Sequence, residues 1–241
     1  MNVIYEPKGR AKEYSDLACN LYRGCTHGCL YCYAPACMRT SNVKWHAAAK
    51  PRTRIIELFE KDAAQLSGDN RKILFSFLSD PYQPLEATEQ LTRKALEIVK
   101  KYGLKSQILT KSGKLAERDF DLFKACETEL GVTLCFMNDK LRQRWEPDAA
   151  PISERLALLK AAHEQNIYTW VSLEPVIDPD EALAVIRHAY PWVRRWKVGK
   201  LNHMKAVESK VDWKKFRVNV EDLLKELGAK YYIKDDLRAF A

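Results

Sequence analysis

Three cysteines near the start of the chain have a spacing that is typical of an iron–sulfur site. Cys25, Cys29 and Cys32 form a Cys-x3-Cys-x2-Cys motif within the run from Asn20 to Pro35. A cluster of four irons and four sulfides is usually held by four cysteine thiolates, so three thiolates leave one iron open. An open coordination position marks a catalytic metal site, as it does for zinc. The motif therefore predicts a metal centre that does chemistry.

A zinc site is the alternative for the same segment. Cys19 and Cys37 flank the motif and His27 lies within it, so a set of Cys and His ligands is conceivable. Zinc modules usually pair two knuckles separated by a dozen or more residues, and this chain has no second knuckle. We therefore favour the cluster. We expect Cys19 and Cys126 to be small core residues and His27 to be an ordinary loop residue.

The motif and two later segments resemble a known family. An aromatic residue, Tyr31, stands just before the last cysteine, as in the radical S-adenosylmethionine (SAM) superfamily. The run Tyr-x-Gly-Cys-x-His-x-Cys-x-Tyr-Cys-Tyr-Ala (22–34) is similar to its spore photoproduct lyase-like, or DNA repair photolyase-like, branch. So are Ser-Asp-Pro-Tyr-Gln-Pro-x-Glu (79–86) and Thr-Lys-Ser (110–112). These motifs cover only the first half of the chain.

The resemblance implies cofactors and a reaction. Cys25, Cys29 and Cys32 would bind a 4Fe–4S cluster, and SAM would chelate the open iron. Reductive cleavage of SAM would give a 5′-deoxyadenosyl radical that takes a hydrogen atom from the substrate. The electron would come from a donor such as flavodoxin or ferredoxin.

The resemblance also implies which side chains meet SAM. Ser79 and Asp80 would lie near its amine and ribose, and Lys111 and Ser112 near its carboxylate or near the substrate. A lysine suits that role because its ammonium group is a compact positive charge.

Hydrogen transfer is a further expectation, and here the chain departs from the branch. Spore photoproduct lyase has a cysteine hydrogen donor upstream of its Ser-Asp motif, whereas this chain has Ser76, Phe77 and Leu78 there. Tyr31 and Tyr33 match the tyrosine positions of the branch, and Cys135 is a third candidate. The missing cysteine argues against dimer repair.

The rest of the sequence predicts the scaffold that positions these groups. Strand-like and helical segments alternate, which predicts a parallel sheet, and the absence of a glycine-rich dinucleotide fingerprint favours a partial barrel. We expect an α/β fold, a partial (β/α)6 TIM-like barrel, in one domain (1–241) with a cluster loop (22–35) and a C-terminal helix and last strand (213–241). The predicted strands are 17–21, 72–78, 105–110, 132–137, 168–173, 196–198 and 230–233; the predicted helices are 53–66, 87–102, 117–130, 152–165, 179–189 and 213–227.

Polar residues follow several predicted strands, where the working groups of such barrels lie. Asn138 follows the fourth strand, Glu174 ends the fifth, and Lys200 and Asn202 follow the sixth. We expect Asn138 and Glu174 to contact the cofactor or the substrate. The alternative interpretation is that all four residues lie in ordinary surface loops.

The charge and the cysteine content of the chain bear on its binding partners and its location in the cell. The formal net charge of +8 permits a phosphate-rich partner, while solvated Lys and Arg on helices would give the same count. Seven cysteines and the absence of a signal peptide or membrane span predict a cytoplasmic protein. We expect DNA or a nucleotide as substrate first, and a peptide or small molecule second. The alternative class is a basic iron–sulfur protein that binds nucleic acid without turnover.

Overall fold

The computed structural model describes residues 2–240, and its centre is a parallel sheet. The strands of the described chain are β1 (Leu17–Cys19), β2 (Tyr22–Arg23), β3 (Lys50–Pro51), β4 (Lys72–Phe75), β5 (Lys105–Thr110), β6 (Glu129–Thr133), β7 (Thr169–Val176), β8 (Arg195–Lys200) and β9 (Tyr231–Ile233). Seven of them form one sheet in the order β1-β4-β5-β6-β7-β8-β9, in which every neighbouring pair is parallel. The predicted α/β partial barrel is confirmed.

Helices connect the strands. Within residues 2–240 they are α1 (Ala34–Cys37), α2 (Asn42–Ala47), α3 (Ile55–Gln65), α4 (Glu86–Glu89), α5 (Leu91–Lys101), α6 (Phe120–Ala125), α7 (Asp139–Trp145), α8 (Ile152–Glu164), α9 (Pro179–Ala189), α10 (Lys205–Glu208), α11 (Trp213–Glu226) and α12 (Asp235–Arg238), with 3-10 turns at Gly9–Glu13, Lys114–Asp119 and Tyr190–Trp192. In this described part, no helix is long and apolar enough to cross a membrane.

The N-terminal segment contacts both edges of the open sheet. Tyr5 exchanges backbone hydrogen bonds of 3.0 and 2.8 Å with Ala18 on β1. Eight residues later, Glu13 accepts hydrogen bonds from the Tyr232 hydroxyl at 3.0 Å and from the Asp235 backbone at 2.9 Å, beside β9. The segment therefore crosses the gap that the partial barrel leaves open.

One predicted helix was wrong at its C-terminal end. The apolar spacing of 117–130 predicted a helix that ends at Gly131, but α6 ends at Ala125 and Gly131 lies within β6. A Cβ atom on Gly131 would lie 2.1 Å from the Trp170 ring on the neighbouring strand β7. The glycine is thus required by packing between strands. Both faces of β6 are buried, as in most parallel sheets, and continuous apolar sequence hides the strand period.

Two other predicted boundaries differ from the structure. The predicted helix 87–102 is divided into α4 and α5 at Gln90, whose φ of 52° lies in the left-handed region. The predicted strand 72–78 ends at Phe75, and Phe77 has a φ of 93°. The shortened strand matters for function, because the residues that follow it form a wall of the site described next.

Candidate active site

The three cysteines of the motif lie in the loop between β2 and α1, and two glycines shape that loop. Gly24 and Gly28 have φ values of 88° and 65°, a region that glycine adopts without strain. A Cβ atom on Gly24 would lie 2.2 Å from the carbonyl oxygen of Ala48, so the chain directly after α2 passes over it. Both glycines therefore allow a tight turn of the backbone around the cysteines.

The cysteine thiols are shielded from solvent but receive stabilising contacts. Cys25 and Cys29 are buried and Cys32 is partly buried. Burial raises the pKa of Cys25 to about 12, while backbone hydrogen bonds from His27 and Asp80 act in the opposite direction. Burial also raises the pKa of Cys29, and the positive charge of Lys111 opposes that rise. A metal would require these thiols as thiolates, and the same backbone and lysine contacts would stabilise that form.

The donor set suits a cluster better than a single ion. Within residues 2–240, no three His, Cys, Asp or Glu side chains converge closely enough to share one metal ion. Each thiolate of a cluster binds a different iron, so three cluster ligands need not meet at one point.

Lys111, at the end of β5, is the charged group beside these thiols. Its Nζ atom lies 5.6 Å from the centre of the Tyr31 ring. Burial acts to lower its pKa, but the negative groups Cys29 and Glu146 raise the pKa well above the ordinary lysine value. In the described chain, this Nζ forms no ion pair or hydrogen bond. Lys111 is therefore a half-buried cation whose donors are available to a ligand.

Behind Tyr31 lies a buried network that the sequence did not predict. The Tyr31 hydroxyl donates a hydrogen bond to Glu146, which follows α7. The other carboxylate oxygen of Glu146 lies 2.6 Å from Arg155 Nη1, and both charged side chains have no exposure to solvent. Arg155 also donates to the carbonyl groups of Ala150 and Thr133. The network fixes one side of the cysteine loop to α7 and α8.

A cavity of about 430 Å³ opens next to the loop and Lys111. A volume of this size accommodates a small-molecule ligand. Its walls include Tyr31, Tyr33, Glu174, Lys200 and Asn202, all of which the sequence placed among its candidates. Among its described lining residues, five are lysine or arginine and one is acidic: Lys8, Arg10, Lys111, Lys200 and Lys234, with Glu174. The cavity is therefore suited to an anionic ligand.

Ser79 and Asp80 lie near the loop but outside the walls of the cavity. Asp80 accepts hydrogen bonds from Thr110 Oγ1 at 2.7 Å and from the Lys111 and Tyr82 backbones at 2.6 and 2.8 Å. His27 Nε2 lies 3.2 Å from the same carboxylate; burial opposes ionisation, but His27 holds the pKa of Asp80 at about 2. In this structure Asp80 braces β5 against the cysteine loop. Its contact with a ligand stays a prediction.

The remaining candidates have identifiable positions. Ser79 Oγ donates to the Tyr22 carbonyl at 3.2 Å, and Ser112 is buried with its backbone N–H on Thr110. Asn138 caps α7, where its Oδ1 accepts from the Lys140 backbone at 2.9 Å. Cys135 is fully buried and does not line the cavity. None of these positions shows a role in catalysis or binding, and those roles stay predictions.

Glu174 belongs to a second cluster of cavity residues, and its partners were not foreseen. Tyr14, from the N-terminal segment, donates a hydrogen bond of 2.5 Å to Glu174 and lies 2.7 Å from Ser172 Oγ. Lys234, after β9, donates to both oxygens of Glu174 at 2.8 and 2.9 Å. More than 150 residues separate Tyr14 from its partners along the chain, so no local pattern could have revealed the cluster.

Comparison with known proteins agrees with this arrangement. The sequence profile of the radical SAM superfamily matches residues 19–190, which include the cysteine motif and strands β2 to β7. The chain belongs to the radical SAM superfamily. The predicted family is thus confirmed, and its cofactors are a 4Fe–4S cluster and SAM.

The curated relatives of this radical SAM protein are longer than it is. An uncharacterized protein of Methanocaldococcus jannaschii is 34% identical over 163 residues, which is 67% of this chain and 60% of that protein. An uncharacterized protein of Acidianus two-tailed virus is 29% identical over 189 residues, 73% of this chain and 61% of that protein. The chain therefore spans about 60% of the length of these relatives.

Solved structures share the fold. Spore photoproduct lyase in complex with dinucleoside spore photoproduct has a TM-score of 0.71 at 12% identity and covers 95% of this chain and 79% of its own. SuiB of Streptococcus suis bound to SAM has a TM-score of 0.67 at 12% identity and covers 90% of this chain and 49% of its own. At this identity, the likeness concerns the fold of the radical SAM domain.

Proposed function

We propose that this protein is a radical SAM enzyme in which Cys25, Cys29 and Cys32 hold the cluster and Lys111 binds the carboxylate of SAM. The observation that carries the proposal is that Lys111 lines one cavity together with Tyr31 and Tyr33 of the cysteine loop, and that its positive charge acts on the Cys29 thiol. When bound, the reduced cluster splits SAM and so supplies a 5′-deoxyadenosyl radical that takes hydrogen from a substrate.

The protein groups would position the reactants and shield them. Lys111 would neutralise the carboxylate of SAM with its unpaired ammonium group. Tyr31, held by Glu146, would fix the wall between the loop and the cavity. The buried surroundings of the thiols would keep water and solvent hydrogen donors away from the reacting atoms.

The substrate we propose is DNA or a nucleotide. Support comes from Lys8 and Lys111, the two cationic side chains of the cavity that have no ion pair within residues 2–240, since phosphate groups bind at such sites. The likeness to a lyase that was solved with dinucleoside spore photoproduct is in keeping with this choice. The second candidate is a peptide, because SuiB was also solved with its precursor peptide SuiA.

A hydrogen donor for the final step is part of the proposal. Tyr33 and Tyr31 line the cavity and are the favoured candidates, while the buried Cys135 lies behind the wall. The Tyr33 hydroxyl donates to the Phe77 carbonyl at 2.8 Å, so it lies beside the segment where spore photoproduct lyase has its donor cysteine. Because this segment contains Ser76, Phe77 and Leu78 and no cysteine, we do not assign dimer repair to this protein.

Two wider expectations belong to the same proposal. A flavodoxin or ferredoxin would supply the electron, and seven free cysteines are in keeping with a reducing cytoplasm. Residues 1–241 would form one domain, because one hydrophobic core extends from Val3 to Leu237.

The test is formation of 5′-deoxyadenosine by the anaerobically reconstituted protein with SAM and dithionite, measured by mass spectrometry. The wild type should form the product and Cys29→Ala should not, while Cys126→Ala should form it because Cys126 lies in the core away from the loop. Equal yields of 5′-deoxyadenosine from wild type and Cys29→Ala would contradict the enzyme proposal and favour the alternative, a non-catalytic nucleic-acid-binding protein. Addition of intact or UV-irradiated DNA should then change the yield; an unchanged yield with both would count against DNA.

A further inference from the structure

A second concave surface lies on the other side of the cysteine loop. This groove, of about 520 Å³, is formed by the N-terminal residues 2–5, the chain after β1 and the segment from Met38 to Thr53. Neighbouring residues line the two spaces: Cys37 and Phe77 face the cavity, whereas Met38 and Leu78 face the groove. A wall about one residue thick therefore separates them.

The groove is unusually positive. Arg23, Lys50 and Arg52 line it, and its described lining contains no carboxylate. From Leu17 to Ile56 the sequence has six Lys or Arg residues and no Asp or Glu. Across residues 2–240, none of these three lining cations has a carboxylate within ion-pair distance, whereas Arg71 and Arg118 each pair with two. Clustered like charges repel each other, so this groove is suited to an anion.

The wall between the two spaces is strained and held from both sides. Phe77 has a φ of 93°, which is rare for a residue with a side chain. Its carbonyl accepts from Tyr33, and the next backbone N–H, of Leu78, donates to Asn20 Oδ1 at 2.7 Å. Strain of this kind concentrates at ligand clamps.

We propose that the groove binds a phosphodiester unit of a nucleic-acid strand whose neighbouring nucleotide occupies the cavity. This inference rests on the proposed nucleic-acid substrate. It specifies that the substrate is an oligonucleotide or longer strand, since a free nucleotide would occupy the cavity and leave the groove empty. An acidic protein is the competing polyanion. The concave shape favours a thin strand, because a broad protein face does not reach the bottom of a groove.

The test measures binding of 5′-fluorescein-labelled oligothymidylate to the reconstituted protein by fluorescence anisotropy. A 12-nucleotide strand can occupy both spaces, and a dinucleotide can fill the cavity alone. Arg23→Ala/Lys50→Ala removes two exposed cations of the groove. The matched control, Lys94→Ala/Lys100→Ala, removes the same charge from the exposed face of α5, away from both spaces.

We expect the groove variant to bind the 12-nucleotide strand at least tenfold more weakly than the control, with dinucleotide binding unchanged. Each lost phosphate contact lowers the slope of log K against log salt by about 0.7, so two contacts lower it by about 1.4. Melting temperatures near that of wild type establish that the variants are folded.

Equal affinities of the groove variant and its control for the long strand would overturn the inference. The inference would also be overturned if the groove variant lost affinity for a 12-residue oligoglutamate but not for the oligonucleotide. That result would indicate that the groove binds an acidic protein. If the wild type binds neither oligonucleotide, the nucleic-acid substrate fails and the inference fails with it. Formation of 5′-deoxyadenosine is measured separately and distinguishes that outcome from failure of the enzyme assignment.

Discussion

Arg155 and Glu146 form a 2.6 Å ion pair in which neither side chain has any exposure to solvent. Burial of both charges is costly, and such pairs persist only when further hydrogen bonds satisfy the remaining atoms. Arg155 donates to two carbonyl groups through Nε and Nη1, and Glu146 accepts from Tyr31 in the cysteine loop, whereas Arg155 Nη2 has no partner within residues 2–240. The pair therefore links α8 to the loop that is proposed to hold the cluster.

Breaking this pair from one side should be strongly destabilising. Arg155→Met leaves the Glu146 carboxylate buried without its cation, and we expect a loss of about 3–5 kcal/mol in the free energy of unfolding. The double variant Glu146→Met/Arg155→Met should lose less than Arg155→Met alone. Urea unfolding measures both. The control is Arg54→Met, which breaks an exposed pair with Glu57 and should leave the free energy of unfolding close to that of the wild type. A loss in Arg155→Met no greater than in the control would contradict the prediction.

The local parts of the fold and site could be predicted, and the distant parts could not. Strand β5 and helix α9 match their predicted bounds because glycine or proline marks their ends. The cysteine motif was visible because three residues within eight positions carry it. Glu146 is 115 residues from Tyr31, and only the packing of α7 against the loop brings the two together. No spacing rule on one sequence contains that information.

Gly24 should be sensitive to a single added methyl group. In Gly24→Ala, a left-handed φ costs about 1–2 kcal/mol, and the clash with the Ala48 carbonyl adds about 1–3 kcal/mol. Gly228→Ala is the matched control, since Gly228 has a φ of 62° and no atom within 4 Å of the added position. Urea unfolding and iron content per chain after reconstitution should both fall further in Gly24→Ala. Similar losses in the two variants would show that the close approach of Ala48 does not matter.

Lys197 should make stability depend on pH. Burial lowers its pKa from 10.5 to about 7, with help from the positive charges of Arg195 and Lys234; Glu129 and Glu13 oppose the shift. Between pH 7 and 10.5 the unfolded chain therefore holds a proton that the native chain has lost. The free energy of unfolding consequently rises with pH in that window, by at most about 1.4 kcal/mol per unit.

Lys197→Met should lack this contribution. The difference between wild type and variant, measured by urea unfolding from pH 6.5 to 9.5, should grow as the pH rises and should be constant below pH 7. Lys100→Met, at an exposed lysine, should leave the pH dependence unchanged. A difference curve for Lys197→Met that stays flat across the window would mean that Lys197 keeps its proton in the native state.

Lys111 and Lys200 line the same cavity but differ in their partners, which allows a direct test of SAM binding. Lys200 lies 2.8 Å from Glu208, so its charge is already balanced, whereas in the described chain Lys111 has no ion-pair partner. Lys111→Met should therefore weaken SAM binding at least tenfold, since a charge-assisted hydrogen bond contributes about 1.5–3 kcal/mol. Lys200→Met should change it less than threefold. Equilibrium dialysis of labelled SAM with the reconstituted, unreduced protein measures affinity without turnover, and iron content establishes that the cluster is intact. Equal effects of the two substitutions would remove Lys111 from the SAM site.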